Sequence, residues 1–478
     1  MAAELVALVK HDCPVCDQVL PALDAAGVRV LSQSDPEETA AQAQRLGLAR
    51  VPELDADLAL SERLDLEAVP AVVLLDGERE EGRVEGLHRA RLLDLAARAG
   101  AALDLDGLPE VRPGCASRTR DPDVAAHIAA RRARREGRLR AREIEVGGLE
   151  DVHEALLARG VTDGLPVVPP TPERVMRMLE GTSRDPQDVV GVVPPYEGVA
   201  TVEKVAINAV MAGCAPEHLP VVLAAVHAAC RPEFAWHGLI ATTHPAGPVV
   251  VAFGTDVGIN AAGNVLGQGT RANVTIGRAL QLVGRNVGGG RPGVEDRAAH
   301  GQPGKVGLCF AEREDGNPWP SPYAEPTVML MALEAPRIVV DQLAREPEGL
   351  AASFALALES VAHPKQRLAW DAMLVVGPEH ARVFGAAGWS RDDLRRRLFE
   401  LTTSPASEIV RGAGGSPEGI EDRWVTDPDM PVAKFAAPER IQVVHAGGDA
   451  GLFSMVFGSW AAGEIGSAPV TEEVGPWA

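Results

Sequence analysis

Cys13-Pro14-Val15-Cys16 follows the apolar run 5–9 and opens a helix-forming stretch, and few folds give a cysteine pair that placement. A thiol at a helix start faces unpaired backbone N–H groups and the positive end of the helix dipole. That field lowers its pKa from about 8.5 into the range of roughly 3.5 to 7.5. Cys13 is therefore expected to act as a nucleophile, and Cys16, one turn on, as the thiol that resolves it. Around the pair, strand and helix signals alternate: 28–31, a helix from Pro36, 71–75, a turn at Asp76-Gly77, a strand near Arg83 and Val84, and a helix from His88 to Ala99. Residues 1–100 read as a compact α/β unit.

Val69 and Pro70 stand immediately before the strand at 71–75. Together with the dithiol at a strand-to-helix junction, this order resembles the thioredoxin and glutaredoxin superfamily. The resemblance covers residues 1 to about 100. It implies a thioredoxin-like fold, a cis proline at Pro70 facing the dithiol, and thiol–disulfide exchange fed by thioredoxin reductase or a low-molecular-weight thiol. His11-Asp12 stands where the family has a Trp before the first cysteine, and extra residues lie between Arg50 and Ala59. Both departures bear on the choice of partner.

At 478 residues the chain exceeds what one core usually spans. Residues 101–148 carry no strand signal and read as a linker with one Arg-rich helix, holding Arg131, Arg132, Arg134 and Arg135. That helix reads as a solvated face, with a docking site for an acidic partner as the alternative. Residues 149–478 read as a large α/β catalytic domain. A net charge of -21 and only 2 Tyr and 9 Phe argue against nucleic acid as a partner. The longest apolar stretch, 219–230, holds Pro220 and His227 and is too short to span a membrane. Nothing at the N-terminus resembles a secretory signal, and six cysteines are too few for a disulfide scaffold. A cytoplasmic location is expected, and a homo-oligomer is compatible with the sequence.

In the large region, helix periodicity runs from Thr201 to near Gly213 and resumes at Pro216, so that two helices meet at Cys214. Strands are expected at 239–241, 249–253, 306–310, 328–333, 374–376 and 441–444, and helices at 379–387 and 391–402, the latter capped by Ser390. No fixed-period repeat is visible. Cys214, at a helix start, is the expected nucleophile of this region; its plainer reading is a buried structural cysteine. Cys309, in a strand, is the second candidate. His244, in Thr242-Thr243-His244-Pro245 after the expected strand 239–241, is a candidate general acid or base. The loop 258–273 supplies Asn260, Asn264 and Asn273 and runs into a helix whose Arg271 and Arg278 share one stripe; with Lys305 these suit a small anionic substrate. A solvated Arg face is the competing reading. His237, His244 and His300 with Cys214 or Glu203 offer a metal site as an alternative, without zinc-like spacing in any one motif. Cys115, among Gly, Pro and Arg, is a candidate relay thiol swinging between domains. From Asp163 onward, Asp163-Gly164-Leu165-Pro166 and Thr201-Val202-Glu203-Lys204 resemble a group of bacterial proteins without a settled activity, which transfers no residue roles.

These readings combine into a thiol-redox enzyme in which the dithiol recycles a cysteine-dependent reductive cleavage or thiol-transfer site acting on a small anion. No cofactor is certain. The alternatives are a soft-metal-dependent lyase or hydrolase with a thiol metal-delivery domain, and a non-catalytic client-recruiting module fused to a disulfide reductase.

Overall fold

The computed structural model describes residues 3–267, 269–461 and 467–478; Gln268, within the amide-rich loop, lies outside them. The chain is mixed α/β and divides into two units, Met1–Glu136 and Gly137–Ala478. Among the described residues no helix is long and apolar enough to cross a membrane.

In chain order the first unit comprises β1 (Glu4–Val9), α1 (Pro14–Ala25), β2 (Arg29–Ser32), α2 (Pro36–Leu46), β3 (Glu53–Leu54), α3 (Ala59–Arg63), β4 (Ala68–Val69), β5 (Ala71–Asp76), β6 (Arg79–Glu85), β7 (Leu87–His88), α4 (Arg89–Arg98), β8 (Val111–Arg112), β9 (Cys115–Ala116) and α5 (Pro122–Arg135). The main sheet has the order β3-β2-β1-β5-β6. β1 and β2 are parallel, whereas β5 runs antiparallel to both β1 and β6. Buried Val, Leu and Ala fill β1 and β5, as expected of central strands covered on both faces. α1 turns Val15, Cys16, Val19, Leu20 and Leu23 into this core, a spacing that lays one helical stripe on the sheet.

The stretch beyond residue 100 corrects the expectation of a linker. β8 pairs with β7 and β9 with β4, both antiparallel, and α5 buries Ile128, Ala130 and Ala133. Arg131 and Arg135 on α5 close on Glu62 of α3, at 2.5 and 3.4 Å. The Arg-rich face is thus an ion-pair cluster within the unit, and the boundary falls after Glu136.

The second unit begins with α6 (Val152–Ala158), α7 (Pro172–Leu179), the hairpin β10 (Val189–Val193) and β11 (Gly198–Thr201), then α8 (Val202–Ala212), α9 (Leu219–Cys230) and α10 (Trp236–Ala241). The expected strand at 239–241 is the last turn of α10, where Trp236, Leu239 and Ile240 are buried. An apolar triplet does not distinguish a strand from a helix turn, and the spacing of 236, 239 and 240 is helical.

Two sheets of identical construction follow. β12 (Gly247–Phe253) leads through α11 (Arg271–Asn286) to β13 (Leu308–Ala311), parallel to it, and then to β14 (Thr327–Leu333), antiparallel on its other side. Next, β15 (Arg337–Val340) and α12 (Pro347–Glu359) intervene. β16 (Ala372–Val376) then leads through α13 (Pro378–Ala386), α14 (Arg391–Leu401), the short strand β17 (Thr403–Pro405), α15 (Ala406–Ile409) and β18 (Pro431–Ala433) to β19 (Ile441–His445), again parallel, and to β20 (Phe453–Gly458), again antiparallel. The fourth strands are exchanged. β15, which follows the first set, pairs with β20; β21 (Val470–Glu473), which follows the second, pairs with β14. Val249, Val251, Phe253, Met329 and Met331 of one sheet share a core with Met373, Val375, Val444 and Phe457 of the other. The alternate residues Leu374, Val376 and Val443 face α12, α13 and α14. With α9 and α11 packed on the first sheet and α8 against both helices, the layers run helix, sheet, sheet, helix. An internal repeat therefore exists in the fold where the sequence shows none.

Candidate active site

Cys13 is the N-cap of α1 and Pro14 its first residue. The Cys16 N–H donates to Cys13 Sγ at 3.2 Å, which lies 3.4 Å from the Val69 carbonyl. The Val69–Pro70 peptide is cis, so Pro70 directly follows the carbonyl that Cys13 faces. Hydrogen bonding from Cys16, assisted by Cys115 and opposed by burial, brings the Cys13 thiol down to about 6. Burial, with the hydrogen bond to Cys13, pushes Cys16 well above the usual thiol range. The pair is thus split into a thiolate and a protonated partner at neutral pH, the division that thiol–disulfide exchange requires.

Cys115 is not in a swinging linker. It stands opposite Val69 in the β4–β9 pair, the residue whose carbonyl lies 3.4 Å from the Cys13 sulfur, and its proximity helps to lower the Cys13 thiol. The Cys115 thiol itself is raised, by burial and then by that contact. Cys13 has no exposed surface, while Cys115 is half-buried.

The residues expected to form a site in the second unit are engaged in holding the fold. Cys214 precedes the turn that leads into α9 but is buried, and desolvation pushes its thiol up to about 12 in spite of Thr275, Arg271 and Arg278. The 3-10 turn at 216–218 stands between Cys214 and α9, and burial dominates at the thiol. Cys309 is fully buried and raised further by desolvation and by Cys214 nearby. Arg271 donates to the carbonyls of Gly213 and Cys214 at 2.6 and 2.9 Å. Arg278 forms a two-pronged pair with Asp163 at 2.7 and 2.8 Å, and Lys305 pairs with Asp296 at 2.7 Å. The Asn273 amide donates to the carbonyls of Asn260, Val265 and Cys309, and its oxygen accepts from Asn260 N–H. Asn260 spans its own loop to the Gly263 carbonyl, and Asn264 is an exposed turn residue with φ +50°. Among the described residues of the loop, the amides of Asn260 and Asn273 are engaged in tying it together. The His244 ring lies tilted beside Trp370, with centroids 5.9 Å apart, and burial holds its pKa down. Its Nε2 lies 3.9 Å from Glu334, too far for a hydrogen bond, and has no hydrogen-bond partner among the described residues. Among the described residues no three His, Cys, Asp or Glu side chains gather to hold a metal; Glu203 instead accepts from the N–H groups of Arg140 and Ala141.

No known family and no curated protein matches the chain. Among solved structures, the crystal structure of StoA from Bacillus subtilis is similar over 20% of this chain and 81% of that one, at 15% identity and a TM-score of 0.18. A likeness that slight carries no argument.

Sequence reasoning passed over a further group in the second unit. Where β12 and β13 end, a cavity of about 490 Å³ is lined by Gly254, Glu312, Trp319 and Tyr323 among others, the end of a sheet at which α/β proteins place ligands. Arg391 grips both Glu312 oxygens at 3.1 Å, and burial outweighs that pairing to leave the carboxyl raised. The Glu312 signal lay in its place at a strand end. Arg391 carried no signal of its own, because it reads as an ordinary first-turn residue.

Proposed function

We propose that the protein is a thiol–disulfide oxidoreductase whose first unit is a thioredoxin-like module, with Cys13 attacking and Cys16 resolving. One observation carries the reading: a helix N-cap cysteine with its pKa brought down to about 6 stands beside a second thiol held protonated. The Cys13 thiolate attacks one sulfur of a disulfide and releases the other as a thiolate. Cys16 then loses its proton and attacks the Cys13 sulfur, freeing the second client thiol. The Cys13–Cys16 disulfide is returned to dithiol by a thioredoxin reductase or a low-molecular-weight thiol. The coupled half of the sequence reading, a Cys214 nucleophile recharged by this dithiol, lacks support, because Cys214 and Cys309 are buried thiols raised far from neutrality.

The test is dithiothreitol-driven reduction of insulin disulfides by the full chain. The wild type and the Cys214→Ser and Cys309→Ser variants are expected to accelerate precipitation equally, and Cys13→Ser not at all. A Cys13→Ser variant as active as wild type would overturn the reading.

A further inference from the structure

We propose that Cys115 is a third redox-active thiol: strand β9 holds it on the edge of β4 beside Cys13, and Cys13 forms a disulfide with Cys115 as well as with Cys16. This rests on the thiol–disulfide reading of the first unit and adds a regulatory disulfide to it. The register sets Cys115 opposite Val69 and Ala116 opposite Ala68, and the Val69 carbonyl is 3.4 Å from Cys13 Sγ. The strap lies flat on this edge. A Cβ on Gly114 would come within 2.7 Å of the Val69 oxygen, and one on Gly86 within 2.7 Å of Gly114 N. Beyond the cysteine, Ser117 N–H donates to the Glu67 carbonyl at 2.9 Å, and the Gln33 side-chain amide donates to Ser117 Oγ and accepts from Arg118 N–H, each at 2.9 Å. Thr119 and Arg120 both reach the Leu66 carbonyl. A client that pairs along β4 must displace residues that already present a cysteine to the same sulfur.

The chemistry balances with a small disulfide as oxidant. Cys13 thiolate attacks oxidised glutathione, forming a mixed disulfide and expelling one glutathione thiolate. Cys115 gives up its proton and attacks the Cys13 sulfur, expelling the second. Two protein thiols lose two electrons, and one oxidised glutathione becomes two reduced ones. From a Cys13–Cys16 disulfide, attack by the Cys115 thiolate on the Cys13 sulfur releases Cys16 with no net oxidation, so the two closed forms interconvert.

The experiment treats the full-length Cys16→Ser variant with oxidised glutathione and maps its peptides by mass spectrometry without reduction. Most chains are expected to carry a Cys13–Cys115 cross-link that reductant removes, and the Cys16→Ser, Cys115→Ser double variant is expected to carry glutathione on Cys13 instead. In wild type the same treatment is expected to yield Cys115 in a cross-link in a measurable fraction of chains. Glutathione retained on Cys13 in Cys16→Ser, with Cys115 free, would overturn the inference and leave the thiol–disulfide reading standing. A Cys13 that never takes up glutathione, in any variant, would overturn that reading as well.

Discussion

Cys13 draws its acidity from named neighbours, and each leaves a measurable trace. Its thiolate absorbance at 240 nm is expected to titrate with a midpoint about 6. Exchange should run at full rate above that midpoint and fall as the proton returns below it. Cys115→Ala removes a neighbouring thiol that helps to hold the Cys13 pKa down and trims the side chain that β9 sets opposite Val69. The variant should therefore titrate at a higher pH yet alkylate faster at pH 8, a pairing that a purely structural cysteine would not produce. Cys214 and Cys309, buried and raised, should resist iodoacetamide in the native chain at pH 7.5 and label only in urea. The dithiol was legible in the sequence because its field comes from the helix it opens, a few residues away. Cys115 was not, because what makes it special is a pairing with Val69 far up the chain, and a Gly- and Pro-flanked cysteine reads locally as loop.

Two elements test whether the loops are structural. Gly114→Ala should press its methyl on the Val69 carbonyl and lower the stability of the first unit by about 1–3 kcal/mol, read from the shift in its urea midpoint. Asn273→Ala strips the loop 258–273 of the amide that ties Asn260, Val265 and Cys309. Leaving those buried partners unpaired should cost roughly 3 kcal/mol and expose the loop to limited proteolysis. Helices with caps were readable from sequence: α8 begins on Thr201 and stops at Gly213 in the left-handed region, and α14 begins on Ser390 with Asp393 closing the capping box. The apolar strands 249–253 and 328–333 were readable as well. What failed was the short run 239–241, too brief for either period to show, and the strand pairs β4–β9 and β7–β8, whose two-residue members have no pattern at all.

The division at Glu136 sets a prediction for the molecule as a whole. Residues 1–136 alone should fold and keep the Cys13 midpoint about 6, whereas residues 1–100 lose the strap and its hydrogen bonds to Leu66, Glu67 and Gln33. At roughly 1 kcal/mol for each bond, that fragment should melt measurably lower by circular dichroism. In the second unit Trp477 is buried and donates to Glu472 at 3.3 Å. Trp477→Ala should cost about 3–5 kcal/mol and lower the melting temperature by about 10 °C. The twofold construction escaped the sequence because the two sheets share topology and burial, and many different apolar residues satisfy both. The exchange of β15 and β21 also bears on the order in which a ribosome can complete the protein. The first unit has every strand it needs once residue 136 is clear of the exit tunnel, so its thiols can meet cellular oxidants while synthesis continues. The first sheet must keep the flank of β14 open, although β14 ends at Leu333, until Val470–Glu473 emerge. During that interval an unpaired apolar strand edge is the nascent chain's exposed liability, and a holdase that binds extended apolar segments would find it there.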